Sequence, residues 1–210
     1  MTQPKDTAVD ELIELSRLLG EFGQIKRATR LPNGDQESDS HHSFNLALIA
    51  YELACQYAPE LDAKKILLYA LVHDLPELIT GDMVTLTATT EQLDKKAKAD
   101  TLAVDETIAK LDIAPNIAAA LLDYENKKDD EALFVYWLDK MITIPTHFYD
   151  NGENLRSLGI QNQQDIQKWY ERTLTKLQKQ KRTPHMSAVT IFELAYKKMH
   201  DELLDSESVS

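Results

Sequence analysis

Apolar residues recur three and four positions apart along almost the whole chain, the spacing of helices with one covered face. Val9, Leu12, Ile13, Leu15, Leu18, Leu19 and Phe22 predict a first amphipathic helix. A polar break from Thr29 to Ser40 follows, with Pro32-Asn33-Gly34-Asp35 at its centre as a turn. From His41 to Tyr57 apolar side chains lie nearly all round the helical wheel, which predicts a central helix covered on several sides. Asp62 is placed to cap a helix from Ala63 to about Asp74, which Pro76 interrupts. Ile79 to Thr87 is poor in helix formers and reads as an ordered loop. A charged helix from about Thr90 to Asp112 has Leu93, Ala97, Leu102, Ile108 and Leu111 on its inner side. Pro115 opens a helix that ends near Asn126. The next starts at Asp129-Asp130, carries Leu133, Phe134, Trp137, Leu138 and Met141, and is kinked or ended by Pro145. Two last helices cover Gln163 to Lys181 and Ser187 to about Leu204, and the tail from Asp205 to Ser210 is expected to fray. The pattern holds about eight helices and no convincing strand, and the fold class it predicts is all-α.

Composition narrows the picture. A chain of 210 residues with 43% hydrophobic and 28% charged residues suits one domain with a core of its own, read here as residues 1–210 with its core at 11–154. Only six glycines are present, and no two fit the spacing of a dinucleotide- or phosphate-cradling loop. The lone Cys55 rules out an internal disulfide and a cysteine zinc site, and its apolar surroundings predict a small buried side chain. The longest apolar run, Ile66 to Val72, is far below the roughly 20 residues of a membrane span, and the amino terminus lacks the pattern of a signal peptide. A cytoplasmic protein with no membrane partner is expected. The net charge of −12 repels a phosphate backbone, so long nucleic acid is a poor partner. A small phosphorylated ligand stays compatible, because a bound divalent metal and one or two arginines reverse the field locally.

Chemistry concentrates where polar residues interrupt apolar helices. His73-Asp74 ends the most apolar helix of the chain, where an imidazole and a carboxylate are costly to bury unless both are satisfied. His200-Asp201 is a second such pair, but Lys197-Lys198 and an acidic tail flank it, which predicts an exposed pair. His41-His42 opens the other strongly apolar helix, and Asp139 lies mid-helix between Trp137-Leu138 and Met141-Ile142. Glu77 follows Asp74 by one helical turn, and Asp82 closes the loop beyond. Two imidazoles and two carboxylates suit a divalent metal with mixed nitrogen and oxygen ligands. Taken singly, Asp139 could pair with an arginine or lysine and His42 could cap its helix.

Together, His42, His73-Asp74 and Asp139 resemble the H…HD…D signature of the HD-domain metal-dependent phosphohydrolases. Glu37-Ser38-Asp39-Ser40-His41-His42-Ser43 is similar to the E-S-x-x-E-H-S stretch of the bacterial 5'-deoxynucleotidase (YfbR-like) branch. His73-Asp74-Leu75-Pro76-Glu77-Leu78-Ile79-Thr80-Gly81-Asp82 is similar to that branch's H-D-x-x-E-x-x-T-G-D. The resemblance runs from about Glu11 to Asn154 and implies a helical fold and hydrolysis of deoxynucleoside 5'-monophosphates. It implies one divalent metal ion (Mn, Co, Fe, Zn and Mg are all compatible) on His42, His73, Asp74 and Asp139, and a homodimer. Glu77 matches the acidic residue that handles protons, and Asp82 a second one near the attacking water. Counting back from the ligand histidine places Arg27 where the family binds phosphate, with Arg30 or Lys26 in reserve. Two positions depart from the branch: its sugar-packing tryptophan is Ala28, and the glutamate before the ligand histidine is His41. Related chemistries on the same residues are triphosphate or alarmone hydrolysis; a non-catalytic nucleotide-binding domain has no need of Glu77 and Asp82.

Overall fold

The structure, a computed structural model, describes residues 7–203; the expected frayed tail lies outside them. Helices dominate: α1 (Ala8–Phe22), α2 (Asp39–Tyr57), α3 (Ala63–Val72), α4 (Glu77–Thr80), α5 (Thr90–Lys110), α6 (Pro115–Glu125), α7 (Asp130–Thr146), α8 (Glu153–Ser157), α9 (Gln163–Gln178) and α10 (Met186–Leu203). Eight of these ten described helices are the long ones that periodicity predicts, and α4 and α8 are single-turn additions. The all-α class holds. Its one qualification is an antiparallel hairpin of β1 (Lys26–Arg30) and β2 (Gln36–Ser38), which pairs Lys26 with Ser38 and Arg30 with Gln36. The turn at residues 32–35 therefore joins two short strands rather than bridging a featureless break. No apolar alternation announces them, because Lys-Arg-Ala-Thr-Arg and Gln-Glu-Ser turn polar side chains inward: buried Thr29 donates to buried Glu37 at 2.6 Å.

Local chemistry explains where the helices start and stop. Asp62 accepts from the amides of Lys64 and Lys65, Thr89 and Gln92 form a reciprocal capping box, and Asp129 accepts from the Ala132 amide. Ser38 caps α2 by accepting from the His41 amide, so the helix begins two residues earlier than the apolar pattern indicates and Asp39 falls in its first turn. The end of α6 is a Schellman turn, with Lys127 N–H on the Tyr124 carbonyl and Lys128 N–H on that of Asp123. Its left-handed position is filled by Lys127 at φ 48° rather than by glycine, at a cost of roughly 1–2 kcal/mol.

The central helix is α7. Ala132 to Asp139 are all buried, whereas α2 leaves Phe44, Leu48 and Tyr51 exposed along one face. Cys55 continues that face and is exposed, contrary to the small buried side chain expected of it. The reading of α2 as covered on several sides holds in part: α3, α7, β2 and α1 all pack against it, and only the face of Phe44, Leu48, Tyr51 and Cys55 is left exposed. On α5 the inner face is displaced in part: Leu111 is buried and Leu93 and Ile108 half-buried as expected, but Leu102 and Ala97 are exposed while Ala103 and Thr107 are buried. The displaced face brings Lys96 inward, its ammonium 3.4 Å from Glu77. The last helices close the far side of α7: Trp137 meets Phe192 edge-on at 5.8 Å, and Tyr170 stacks on Tyr196 at 3.8 Å. Pro145 lies in the last turn of α7, which ends one residue later.

Candidate metal centre and active site

Four segments distant in sequence meet at one point. His42 comes from the first turn of α2, His73-Asp74 from the end of α3, Asp139 from the middle of α7, and Arg27 from β1. His42 Nε2 lies 3.1 Å from Asp139 Oδ1 and 3.8 Å from Asp74 Oδ2. His73 Nε2 lies 3.1 Å from Asp74 Oδ2 and 3.5 Å from Asp139 Oδ1. His73 Nδ1 donates to the Ala70 carbonyl at 2.9 Å, so Nε2 is the nitrogen that faces the group. That Nε2 is buried without a hydrogen-bond partner. His42, His73 and Asp139 are all buried, and their donor atoms lie close enough together to share one ion. An inward-facing imidazole nitrogen without a partner, among two carboxylates and a second imidazole, fits a divalent cation of mixed nitrogen and oxygen preference.

The electrostatics favour positive charge at this point. Burial alone lowers the basicity of His73, but Asp74 and Asp139 overcome it and raise its pKa to about 10. Asp74 is held well below the carboxylate range, with the neighbouring His73 and then Arg27 outweighing burial. Lys140 and the two imidazoles do the same for Asp139. Lys140 contacts the outer oxygen of Asp139.

Arg27 joins this group to a second one. Its Nη1 donates to Asp74 at 2.9 Å and to Asp39 at 3.2 Å, and lies 3.9 Å from Asp82. Asp39, Glu77 and Asp82 converge beyond it. This group has no histidine, and its chemistry is reversed. Burial followed by the charge of Asp74 raises the Asp39 pKa to about 6 and that of Glu77 to about 10, so Glu77 holds a proton at neutral pH. Lys96 partly offsets this from α5. Gly81 caps α4 at φ 67° and lets the chain turn so that Asp82 returns toward Arg27. A cavity of about 300 Å³ opens beside the group, between residues 80–83 and α5, with Met83, Gln92, Lys96 and Ala99 among its walls.

Of the residues singled out in the sequence, His42, His73, Asp74, Asp139, Glu77, Asp82 and Arg27 are thus brought together. Arg30 is not: its guanidinium donates to the Gly34 carbonyl inside the exposed hairpin turn. His41 is half-buried beside the cap of α2, and among the described residues its side chain makes no ion pair with this group. His200 and Asp201 pair with each other on α10, partly exposed as expected. Three participants escaped the sequence reading. Asp39 sits in a polar stretch where a carboxylate attracts no notice, and Lys140 reads as an ordinary charge beside Asp139. Arg172 of α9 donates to the carbonyls of Thr85, Leu86 and Ala88 at 2.7–2.9 Å, which fastens the segment that follows Asp82.

Comparison with known proteins agrees with this arrangement. The HD domain family model matches residues 19–202. The chain is 30% identical over 139 residues to the Dictyostelium discoideum protein named 5'-deoxynucleotidase HDDC2, covering 61% of this chain and 71% of that one. It is 28% identical over 138 residues to 5'-deoxynucleotidase YfbR of Salmonella paratyphi B, covering 60% and 68% respectively. The crystal structure of a predicted metal-dependent phosphohydrolase from Magnetospirillum magnetotacticum superposes with a TM-score of 0.66 at 19% identity, over 93% of this chain and 98% of that one. A conserved hypothetical protein from Pyrococcus furiosus has a TM-score of 0.50 at 23% identity, over 80% and 99%. These two share the fold. With nearly the whole chain matched and the H…HD…D residues gathered at one point, the protein belongs to the HD domain family.

Proposed function

We propose that this HD-family hydrolytic enzyme releases phosphate from deoxynucleoside or nucleoside 5'-monophosphates, with His42, His73, Asp74 and Asp139 holding one divalent metal ion. The observation that carries the reading is the junction of two unlike groups through Arg27: a mixed imidazole–carboxylate cluster that draws in positive charge, and an all-carboxylate cluster in which Glu77 keeps its proton. Both curated relatives named above are called 5'-deoxynucleotidases, which supports the substrate class. The chain has no helix among its described residues long and apolar enough to cross a membrane. The exposed apolar face of α2 supports the homodimer that the resemblance implies.

His42, His73, Asp74 and Asp139 would hold a divalent ion, which would supply Lewis-acid polarisation of the phosphoryl group and make an attacking water acidic enough to react at neutral pH. Arg27 is 12% exposed at its side chain, enough to present the remaining edge of its guanidinium to a phosphate oxygen while the edge facing Asp74 stays fixed. Its charge is secure, because Asp74, Asp82 and Asp139 together outweigh the effect of burial and hold it ionised. Glu77, protonated in this setting, is the group suited to give a proton to the departing 5'-oxygen, and Lys96 keeps its carboxyl oriented. Asp82 is placed to take the proton of the attacking water. Asp39, fully buried between Arg27 and these two, holds the arginine in line. The nucleoside extends toward the cavity beside α5, and Ala28 stands where the branch carries its sugar-packing tryptophan, so no indole disfavours ribose. Metal analysis of the purified protein followed by phosphate release from 2'-deoxy and ribo 5'-monophosphates with Mn²⁺, Co²⁺ and Mg²⁺ tests the proposal. Metal-dependent release from both sugars is expected, and no release with any metal overturns it.

A further inference from the structure

Arg27 meets Asp74 and Asp39 through one nitrogen, yet the strand that carries it is irregular. The hairpin register slips between Lys26 and Arg30: β1 advances four positions while β2 advances two, from Ser38 to Gln36. Arg27 and Ala28 lie within this bulge. A bulge re-aims side chains and interrupts the ladder bonds that fix a backbone. The two carbonyls accept from side-chain amides instead. Exposed Gln36 donates through Nε2 to the Arg27 carbonyl at 3.3 Å, and buried Asn154 donates through Nδ2 to the Ala28 carbonyl at 3.2 Å.

Asn154 is itself held from both sides. Its backbone N–H donates to Asp150 Oδ2 at 2.9 Å, and its carbonyl accepts from the Ser157 hydroxyl at 2.7 Å. The next residue, Leu155, is fully buried in a small apolar cluster separate from the main core. Ile144 joins that cluster from the end of α7, Ile166 from α9, and Met199 and Leu203 from α10. The last two helices thus form the base from which the single turn of α8 reaches β1. A buried amide donor is costly to leave unmade, so the bond to Ala28 is favoured wherever α8 is seated. Asn154 makes no hydrogen bond to a metal donor among the described residues, and what it can affect at the site it affects through the backbone beside Arg27.

We infer that Asn154 is a positioning residue for Arg27, clamping the bulged strand so that the guanidinium meets phosphate in a fixed place. The inference rests on the proposed phosphate role of Arg27. A guanidinium fork rewards good alignment, and a displacement of about 1 Å in a group that orients substrate costs far more than the one bond that caused it.

The test titrates inorganic phosphate into the full-length, Mn²⁺-loaded protein and follows binding by the broadening of the phosphorus NMR signal, a readout that needs no turnover. Arg27→Ala is expected to weaken phosphate binding by about 30-fold or more. Asn154→Asp keeps the shape and loses the donor, and should weaken it by about tenfold at unchanged metal content. Added to Arg27→Ala, the same substitution should cost less than about twofold, because no guanidinium is left to place. A residue that merely braced the fold would weaken binding equally in both backgrounds. Asn154→Ser, too short to reach Ala28, repeats the test without a buried carboxylate and should give the same loss and the same dependence on Arg27. Wild-type affinity in both Asn154 variants, or an equal loss with and without Arg27, overturns the positioning role while the phosphate role of Arg27 stands. Undiminished binding in Arg27→Ala refutes that phosphate role, and the positioning role falls with it.

Discussion

His73 and His147 close two helices in the same way, as buried residues in the C-cap positions of α3 and α7, yet they meet opposite fields. Asp74 and Asp139 raise the pKa of His73 to about 10 against the effect of burial. His147 has only Asp150 near it, burial wins, and its pKa falls to about 4. Depth in the protein is therefore not what distinguishes a site histidine from a structural one. The difference lies in the carboxylates that surround it and in whether a nitrogen is left facing them. His147 also keeps one buried nitrogen, Nδ1, without a partner, but that nitrogen faces no cluster of ligand atoms.

The sharpest way to break this contrast is to delete each ring in turn. His73→Ala should abolish stoichiometric metal binding and lower turnover by roughly 10³-fold or more, since both the ion and its orienting field are lost. His147→Ala should lose stability but keep its metal and its turnover per folded molecule. Metal analysis and phosphate release on both variants decide the matter, and retained metal in the first or lost metal in the second would erase the distinction.

A second test compares the two halves of the site. Glu77→Gln preserves shape and removes the proton, so turnover should fall by about 10²-fold or more while metal content is unchanged. Stability should move the other way. Glu77 has a folded pKa of about 10 against an ordinary value of 4.5, so the folded state binds the extra proton over that interval and loses stability as pH rises through it. Metal-stripped Glu77→Gln should thus be more stable than wild type at pH 8, by roughly 1–3 kcal/mol, and the gap should narrow toward pH 5. Chemical denaturation at the two pH values measures it, and a gap that is absent or widens on acidification counts against a buried, protonated Glu77.

How much of this was legible in the sequence depended on the company each residue keeps. His73, Asp74 and Asp139 stood out because charge in an apolar helix demands a partner, and Glu77 and Asp82 followed by spacing. Arg27 was located only by its distance from His42 in a resembling family, because a charged residue in a polar stretch carries no signal of its own. The hairpin that positions it was invisible for the same reason: its inward side chains, Arg27, Thr29 and Glu37, face a polar site rather than a core. Periodicity also over-read α2 and under-read α7. Both are apolar nearly all round, and only tertiary packing decides that α7 is enclosed while Phe44, Leu48 and Tyr51 are left on a surface. On α5, Lys96 displaced the expected inner face because its ammonium finds Glu77, an attraction that no hydropathy pattern encodes.

The field around His147 makes a prediction of its own. Its folded pKa of about 4 lies below the ordinary 6.5, so the unfolded chain binds a proton more readily. The stability linked to the neutral ring is complete above pH 6.5 and lost progressively as pH falls toward 4, about 3 kcal/mol in total. His147→Gln, which cannot titrate, should lose less stability than wild type between pH 6.5 and 4.5. Parallel losses in the two proteins would show that His147 is already protonated or exposed.

The smallest effect concerns the segment that ties the two halves to the last helices. Arg172 reaches from α9 to three carbonyls between Thr85 and Ala88, immediately after Asp82 returns the chain to Arg27. A planar guanidinium satisfies diverging carbonyls at once, whereas an ammonium reaches fewer of them with good geometry. Arg172→Ala should free this segment to open, and a loss of roughly 1.4 kcal/mol in the closed state corresponds to about a tenfold drop in kcat/KM. Arg172→Lys should recover part of that drop. Metal content should stay at the wild-type level in both, because no donor of the imidazole group lies on the segment. The order wild type, lysine, alanine in kcat/KM at constant metal content is the expected result. If alanine and lysine behave alike, or if metal is lost with activity, Arg172 acts through the general stability of α9 and not through the placement of Asp82.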